Sequence, residues 1–187
     1  MRTMDVVQYD ENWENLFENE KTILESILGE HIVRIEHIGS TSIQGIYAKP
    51  IIDILVLVKC ISDIDGYNHQ MIAAGYDVRG EKGMPGRRYF VRFNDDNSGN
   101  HTHHIHIFQA ENNPSYQDVE DNLIFRDYLR INEAARNEYS NLKIKLSKLY
   151  YTEPLSYHEG KTECVCNIVK MAKDYFNIHA ETSERTT

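Results

Sequence analysis

Three cysteines in 187 residues, Cys60, Cys164 and Cys166, are too few to staple a fold. The count is odd, and two thiols one residue apart in a helical pattern point away from each other. Neither a disulfide framework nor a zinc ribbon, which needs more paired cysteines, is expected. The three are expected to be inert, partly buried thiols. The chain also lacks any apolar run near the roughly 18–20 residues that cross a bilayer. Residues 1–10 show no apolar stretch of a secretory signal, so a cytoplasmic location with no membrane partner is the default expectation. Basic side chains are scarce: 20 Lys and Arg stand against 29 Asp and Glu, for a net charge of −9. Broad contact with a nucleic-acid backbone needs clustered Lys and Arg, so nucleic acid is not an expected partner. One local exception is the group Lys82, Arg87, Arg88 and Arg92, close enough in sequence to hold an anionic ligand.

Familiar catalytic signatures are missing too. There is no Gly-x4-Gly-Lys-Ser/Thr loop, no dinucleotide-binding glycine fingerprint and no Gly-x-Ser-x-Gly elbow. A histidine-triad hydrolase needs an unbroken His-x-His-x-His alternation, which Phe108 interrupts after His104 and His106. A two-histidine phosphoesterase needs two separate His-x-Thr elements, and none is present.

What the chain has is 41% hydrophobic and 26% charged residues, the composition of one folded domain with a sizeable core. Residues 12–28 set Trp13, Leu16, Phe17, Ile23, Leu24, Ile27 and Leu28 on one helical stripe, which Gly29 ends. Residues 31–38 alternate as a half-buried strand. Residues 51–58 are apolar except for Asp53, the mark of a strand buried on both faces. A weak helix over 62–74, strands over 76–80, 88–93 and 102–109, and a polar turn over 94–100 follow. Helices are then predicted over 115–131, 134–150 and 159–177, with Glu153-Pro154 breaking the second. Ala135, Tyr139, Leu142, Leu146 and Leu149 form the apolar face of that second helix. The expected fold class is α/β (α+β). It is a mixed sheet of about five strands between an N-terminal helix and a C-terminal set of three helices, in one domain over 1–178. Residues 179–187 are polar and expected to form a disordered tail.

Three constellations could carry chemistry. Gly39-Ser40-Thr41-Ser42 directly follows a strand, so its backbone N–H groups and hydroxyls suit a phosphate; the plain alternative is a polar turn with a cap. Asp53 lies inside an apolar strand, where a carboxylate needs a cation, a metal or donors beside it. His101, His103, His104 and His106 cluster on a later strand, with His104 and His106 on one face and His103 on the other. Two imidazoles on one face can bind a transition metal, or one can act as a base; alternatively they only hydrogen-bond their neighbours.

The string from His37 to Gly45, followed by Lys49-Pro-Ile-Ile-Asp-Ile54, resembles the GrpB family, found alone or fused to dephospho-CoA kinase in bacteria. Thr102-His-His-Ile-His106 and the segment Tyr157 to Cys164, with Lys161, resemble it more weakly, so the likeness spans roughly 5–177. It implies a nucleotidyltransferase-like fold. In that superfamily a Gly-Ser turn holds phosphates, and carboxylates on the next strand and on a nearby one hold two divalent ions. By this resemblance Gly39, Ser40 and Thr41 would cradle phosphate, Lys49, Arg87 and Arg88 would neutralise it, and Asp53 would bind metal. The second carboxylate falls at Leu55, and the third on a strand that offers only His104 and His106. A two-Mg site is therefore not assembled: the histidines would recruit a softer ion such as Mn or Zn, or none, and a single divalent ion is left open among Mg, Mn and Zn.

Three readings stay open. The first is a divergent nucleotidyltransferase using Asp53, His104 and His106. The second is a non-catalytic module for a nucleotide or coenzyme A-like ligand. The third is a Zn- or Mn-dependent hydrolase on the same three residues. All take a phosphate-bearing small molecule or a divalent ion, and self-association into a homo-oligomer is left open.

Overall fold

The computed structural model describes residues 3–94 and 99–184, with side chains to 177. Helix α1 covers Asn12–Leu28. The Asp10 carboxylate accepts from the Asn12 N–H (2.9 Å) at its start, and Gly29, at φ 51°, ends it. Strands β1 (Ile32–Ile38) and β2 (Ile52–Val58) pair antiparallel. The weak helix expected over 62–74 is a 3-10 stretch over 61–67 followed by the short helix α2, Asn68–Ala73. The expected strand at 76–80 shrinks to β3, Asp77–Val78. Strands β4 (Arg88–Phe93) and β5 (His101–Gln109) complete one sheet in the order β1-β2-β5-β4-β3. Among the described residues, only the β2–β5 pair is parallel. Residues 95–98 of the expected polar turn lie outside the described residues, and Asn94 N–H closes on Asn100 C=O at 2.8 Å.

The strand period of two gives the sheet its two faces. Ile52, Ile54, Val56 and Val58 of β2 and Ile105 and Ile107 of β5 pack in one core with Trp13, Phe17, Leu24 and Leu28 of α1. On the opposite face Leu55 and Phe108 pack with Ile38 and with Val119 and Leu123 of helix α3, Tyr116–Ile131. That second core covers only part of the face. The start of β2 and the neighbouring part of β5 stay open to the helices that follow.

Those helices number four among the described residues, one more than the sequence pattern implies. Helix α4 (Glu133–Leu149) is capped by Asn132, whose side chain accepts from Ala135 N–H. Leu149, expected on its buried face, is the last residue of the helix and is 60% exposed. Pro154 does more than break α4. It stands in the first turn of an additional short helix, α5 (Pro154–Glu159), where its missing N–H costs nothing. Helix α6 then begins at Thr162, and its backbone is helical to Glu184. The expected tail over 179–187 bears on positions whose side chains, and at 185–187 the backbone, lie outside the described residues. Among the described residues, no helix is long and apolar enough to cross a membrane. The three thiols are free; Cys166 is exposed.

Candidate functional site

Gly39 joins β1 to a 3-10 turn over Ser40–Ser42 at φ 68°, a conformation that favours glycine. A second constraint acts there: a Cβ on Gly39 would run into the carboxylate of Asp53. The turn is laid directly against the acid, so the Gly-Ser sequence and Asp53 form one structural unit.

The turn's hydroxyls divide into two kinds. Thr41 is buried; its hydroxyl donates to the Ile51 carbonyl (3.0 Å) and accepts from His37 Nε2–H (3.1 Å). Ser42 donates to the Gly39 carbonyl (2.7 Å). Both hold the turn's shape. Ser40 is the hydroxyl that lines the open space in front of Asp53. From α3, Arg130 donates twice to the Ser42 carbonyl (3.1 and 2.9 Å), and Arg126 donates to the His37 carbonyl (3.0 Å) while pairing with Glu36 (2.6 Å).

His37 stacks on Phe17 with centroids 4.8 Å apart and is 4% exposed. Burial holds its pKa down to about 4; Asp53 opposes the shift, and Arg130 and Arg126 add to it. The Glu14 carboxylate, 3.7 Å from Nδ1, is exposed and beyond hydrogen-bond length. Unfolded His37 takes a proton near 6.5 and the folded side chain near 4, so between these values the unfolded state binds more protons. Stability therefore falls as pH drops from about 6.5 to about 4, with a His37 share of up to about 3 kcal/mol. His37→Gln should flatten that acid limb. Urea midpoints at pH 7.5 and 5 check it, and an unchanged limb would put the slope elsewhere.

The parallel register sets Asp53 opposite His104 and Leu55 opposite His106. His104 Nδ1 lies 2.9 Å from Asp53 Oδ1, and His106 Nε2 lies 3.9 Å from the same oxygen. The other nitrogens are engaged as well: His104 Nε2 meets His101 Nδ1 at 2.8 Å, and His106 Nδ1 meets the Arg87 guanidinium at 3.4 Å. This network assigns both protons facing Asp53 to the imidazoles, leaving the carboxylate as acceptor. Burial alone would raise the Asp53 pKa. The His104 hydrogen bond, with the close approach and field of both imidazoles, outweighs it and holds the acid far below the usual carboxylate range. Burial lowers His106, partly offset by Asp53.

The three donor atoms lie within 4.8 Å of one another. A cation placed among them would stand where the two imidazole protons now point. Two nitrogens and one carboxylate oxygen fit Zn or Mn better than Mg. His101 would then fix the ring of His104 from behind, as a ligand's outer partner does. Leu55, where a second carboxylate would stand, is 1% exposed beneath α3 and offers no ligand.

Outside this cluster the predicted cations scatter, because residues alternate along β4. Arg88 makes two bonds to Asp65 (2.6 and 2.8 Å) and Arg92 pairs with Glu20 (2.9 Å), both on the α1 side of the sheet. The expected patch of Lys82, Arg87, Arg88 and Arg92 does not exist as a patch, and Arg88 does not reach the Gly-Ser turn. Arg87 does stand at the cluster's rim, 4.8 Å over the Tyr89 ring and donating to the Lys82 and Glu81 carbonyls. Lys49 lies nearer the turn, lining a small cavity with Ser40 and Asp53.

In front of Gly39, Ser40 and Asp53 opens a cleft of about 730 Å³, walled by α3 and α6. Its sides carry Phe125, Tyr139 and Val165, with Asp118 and Asp121 on one rim and Lys161 and Lys170 on the other. Lys173 of α6 pairs with Asp121 across the gap at 2.7 Å. Burial lowers the Lys161 pKa to about 8, against the pull of Asp53. Sequence reasoning left Lys143 out. Its signal was there, since 143 falls four residues after Tyr139 and eight after Ala135, on the buried face of α4.

The arrangement has known counterparts. The chain is 39% identical over 173 residues to the UPF0157 protein YqkA of Bacillus subtilis (strain 168), covering 92% of this chain and 48% of that protein; it thus spans about half of YqkA. It is similar to the crystal structure of the conserved protein GrpB from Enterococcus faecalis, with 37% identity and a TM-score of 0.84 over 92% of this chain and 99% of that one. A structure of the Cid1 poly(U) polymerase matches 83% of this chain and 49% of its own at 12% identity and a TM-score of 0.52. That likeness is one of fold alone, and weaker than the likeness to GrpB. The family described as GrpB protein matches residues 3–171. The chain belongs to the GrpB family.

Proposed function

We propose that the cleft binds a nucleotide, or a similar phosphate-bearing small molecule, around one divalent ion of the Mn or Zn type. The observation that carries this reading is the contact of the Gly39-Ser40 turn with Asp53. It sets the Ser40 hydroxyl beside a carboxylate that already has two imidazoles within reach. The cleft's volume suits a ligand of nucleotide size. Phe125, half-buried, offers an aromatic side to a base, and Lys161 and Lys170 offer charge to phosphates.

When bound, the ion would supply Lewis-acid stabilisation of charge on a phosphoryl oxygen. The chain's own residues do the rest. Asp53, His104 and His106 would hold the ion, His101 would orient the His104 ring, and Ser40 would orient the phosphate; Arg87, a donor only, would give up its bond to His106 Nδ1 so that Nε2 could face the ion. The reaction proposed is nucleotidyl transfer: an acceptor oxygen forms a bond to the α-phosphorus, and the α–β bridging bond breaks to release pyrophosphate. The acceptor proton leaves to solvent.

A second reading has its own support. Asp53 is already satisfied by its imidazole donors, so the cleft is electrostatically settled without an ion and could serve as a binding module. Titrating ATP, GTP, CTP and UTP with Mn²⁺ and then Mg²⁺, while following binding and pyrophosphate release, separates the two. Binding with release at Mn²⁺ is the expected result. Saturable binding without release leaves the module; no binding of any nucleotide overturns both.

A further inference from the structure

The lysine that the sequence pattern concealed lies against a second, smaller space. Behind Ser40 and Asp53 is a cavity of about 100 Å³, bounded by Lys49, Lys143, Lys161 and Tyr157. That is room for about three water molecules, or one phosphate group. Lys143 is 2% exposed, and its ammonium makes no hydrogen bond among the described residues. A buried, unpartnered ammonium costs several kcal/mol and is not kept by packing alone. Aromatic faces lie beneath all three heads. Lys143 Nζ lies 4.5 Å over Tyr139, and Lys161 and Lys49 lie 4.7 and 5.2 Å over the buried ring of Tyr157. Ring contacts steady a lysine without using its N–H donors, which are three per head. Burial and the neighbouring Lys161 both push the Lys143 pKa well below its ordinary value, as expected of a site that lacks its counter-ion.

We propose that this cavity is a built subsite for one tetrahedral oxyanion, the terminal phosphate of the ligand that lies in the cleft. Ser40 lines both spaces, so it stands where the chain of phosphates passes from one to the other. Lys143 donates from the floor, Lys161 from the side shared with the cleft and Lys49 from the side of β2. The subsite rests on the phosphate-ligand reading of the cleft, but on neither the metal nor turnover.

The test uses the full chain in metal-free buffer, with pyrophosphate and orthophosphate titrated calorimetrically into wild type, Lys143→Met and Lys161→Met. Wild type should bind pyrophosphate, and each variant should weaken it at least tenfold. The two variants differ in the second readout. Methionine fills the Lys143 position without a charge to desolvate, so Lys143→Met should melt at or above the wild-type temperature while losing the anion. Lys143→Met that binds pyrophosphate like wild type and melts several degrees lower makes Lys143 a packing residue and overturns the subsite. So does a wild type that binds neither anion. If Lys143→Met fails to fold, the same loss in Lys161→Met decides. Titration of ATP separates the two proposals: ATP bound equally by wild type and Lys143→Met removes the subsite and leaves the cleft. Pyrophosphate bound through Lys143 with no nucleotide binding removes the nucleotide and leaves the subsite.

Discussion

Asp53→Asn should lower the affinity for Mn²⁺ or Zn²⁺ by at least about 100-fold, more than the loss of an outer partner of a metal ligand brings. Asp53 is the lone carboxylate of the cluster, and an amide oxygen is a far weaker ligand for these ions. The fold should survive. The side chain is 29% exposed toward the cleft, and asparagine keeps one acceptor for His104 Nδ1–H. What is lost is the charge on that acceptor, a change of about 1–3 kcal/mol. Calorimetric ion titration beside a urea melt checks both statements at once. An unchanged ion affinity would remove Asp53 from the metal site. A chain that no longer folds would make its pairing with the two histidines structural instead. The pH dependence has a definite sign: because the folded pKa of Asp53 is depressed, its contribution to stability is complete above the ordinary carboxylate pKa. It is lost only as pH falls below that. The variant should therefore differ from wild type most clearly at neutral pH and converge with it in strong acid.

Much of this site is legible in the sequence. Residues 51–58 announce a doubly buried strand because they are apolar on both periods, and β2 is flanked by β1 and β5 as that pattern requires. A single acid in such a strand must find partners, and the His-x-His spacing says which face of the next strand could supply them. The parallel register then brings the two together. What could not be read is which groups meet across long separations in the chain. Arg88 and Arg92 look like neighbours of Arg87 in sequence, yet the strand period turns them to the α1 side, where Asp65 and Glu20 wait. Thr41 looks like a phosphate ligand beside Ser40, but the Ile51 carbonyl and His37 take its hydroxyl. Helix α5 was hidden because Pro154 reads equally well as a stop and as a start. The small cavity beside Lys143 needs α4, α5 and the Gly-Ser turn in one place, and no local pattern reports that.

The turn, Asp53 and the histidines come from the sheet, whereas the lysines around the cavity come mostly from α4 and the α5–α6 junction. The candidate site is therefore a seam between the two halves of the domain. The arginines of α3 that grip the Ser42 and His37 carbonyls fix that seam from the helical side. A change that loosens α3 should disturb the turn without touching any ligand-facing group.

Leu55→Asp puts the seam to its hardest test. The resemblance read from the sequence implies a second acid at this residue, so the substitution looks on paper like a restoration. The structure argues the reverse. Leu55 is packed among Ile38, Phe108, Val119 and Leu123 beneath α3, and across the ladder it stands opposite Glu36. A carboxylate there would be buried, unpaired and beside a like charge whose own partner is Arg126. A loss of about 3–5 kcal/mol at pH 7 is expected, with no gain in Mg²⁺ binding. The loss should shrink as pH falls. Burial raises the folded pKa of the introduced acid, so its penalty grows as pH rises through the unfolded value near 3.9 and levels off above the raised one. Leu55→Asn, polar but uncharged, should show a smaller loss with no such pH dependence. Urea melts between pH 4 and 7.5, with calorimetric Mg²⁺ titration, read both variants. A stable Leu55→Asp protein that binds two Mg²⁺ ions would mean that α3 can lift from the sheet, and the single-ion reading of Asp53, His104 and His106 would fall with it.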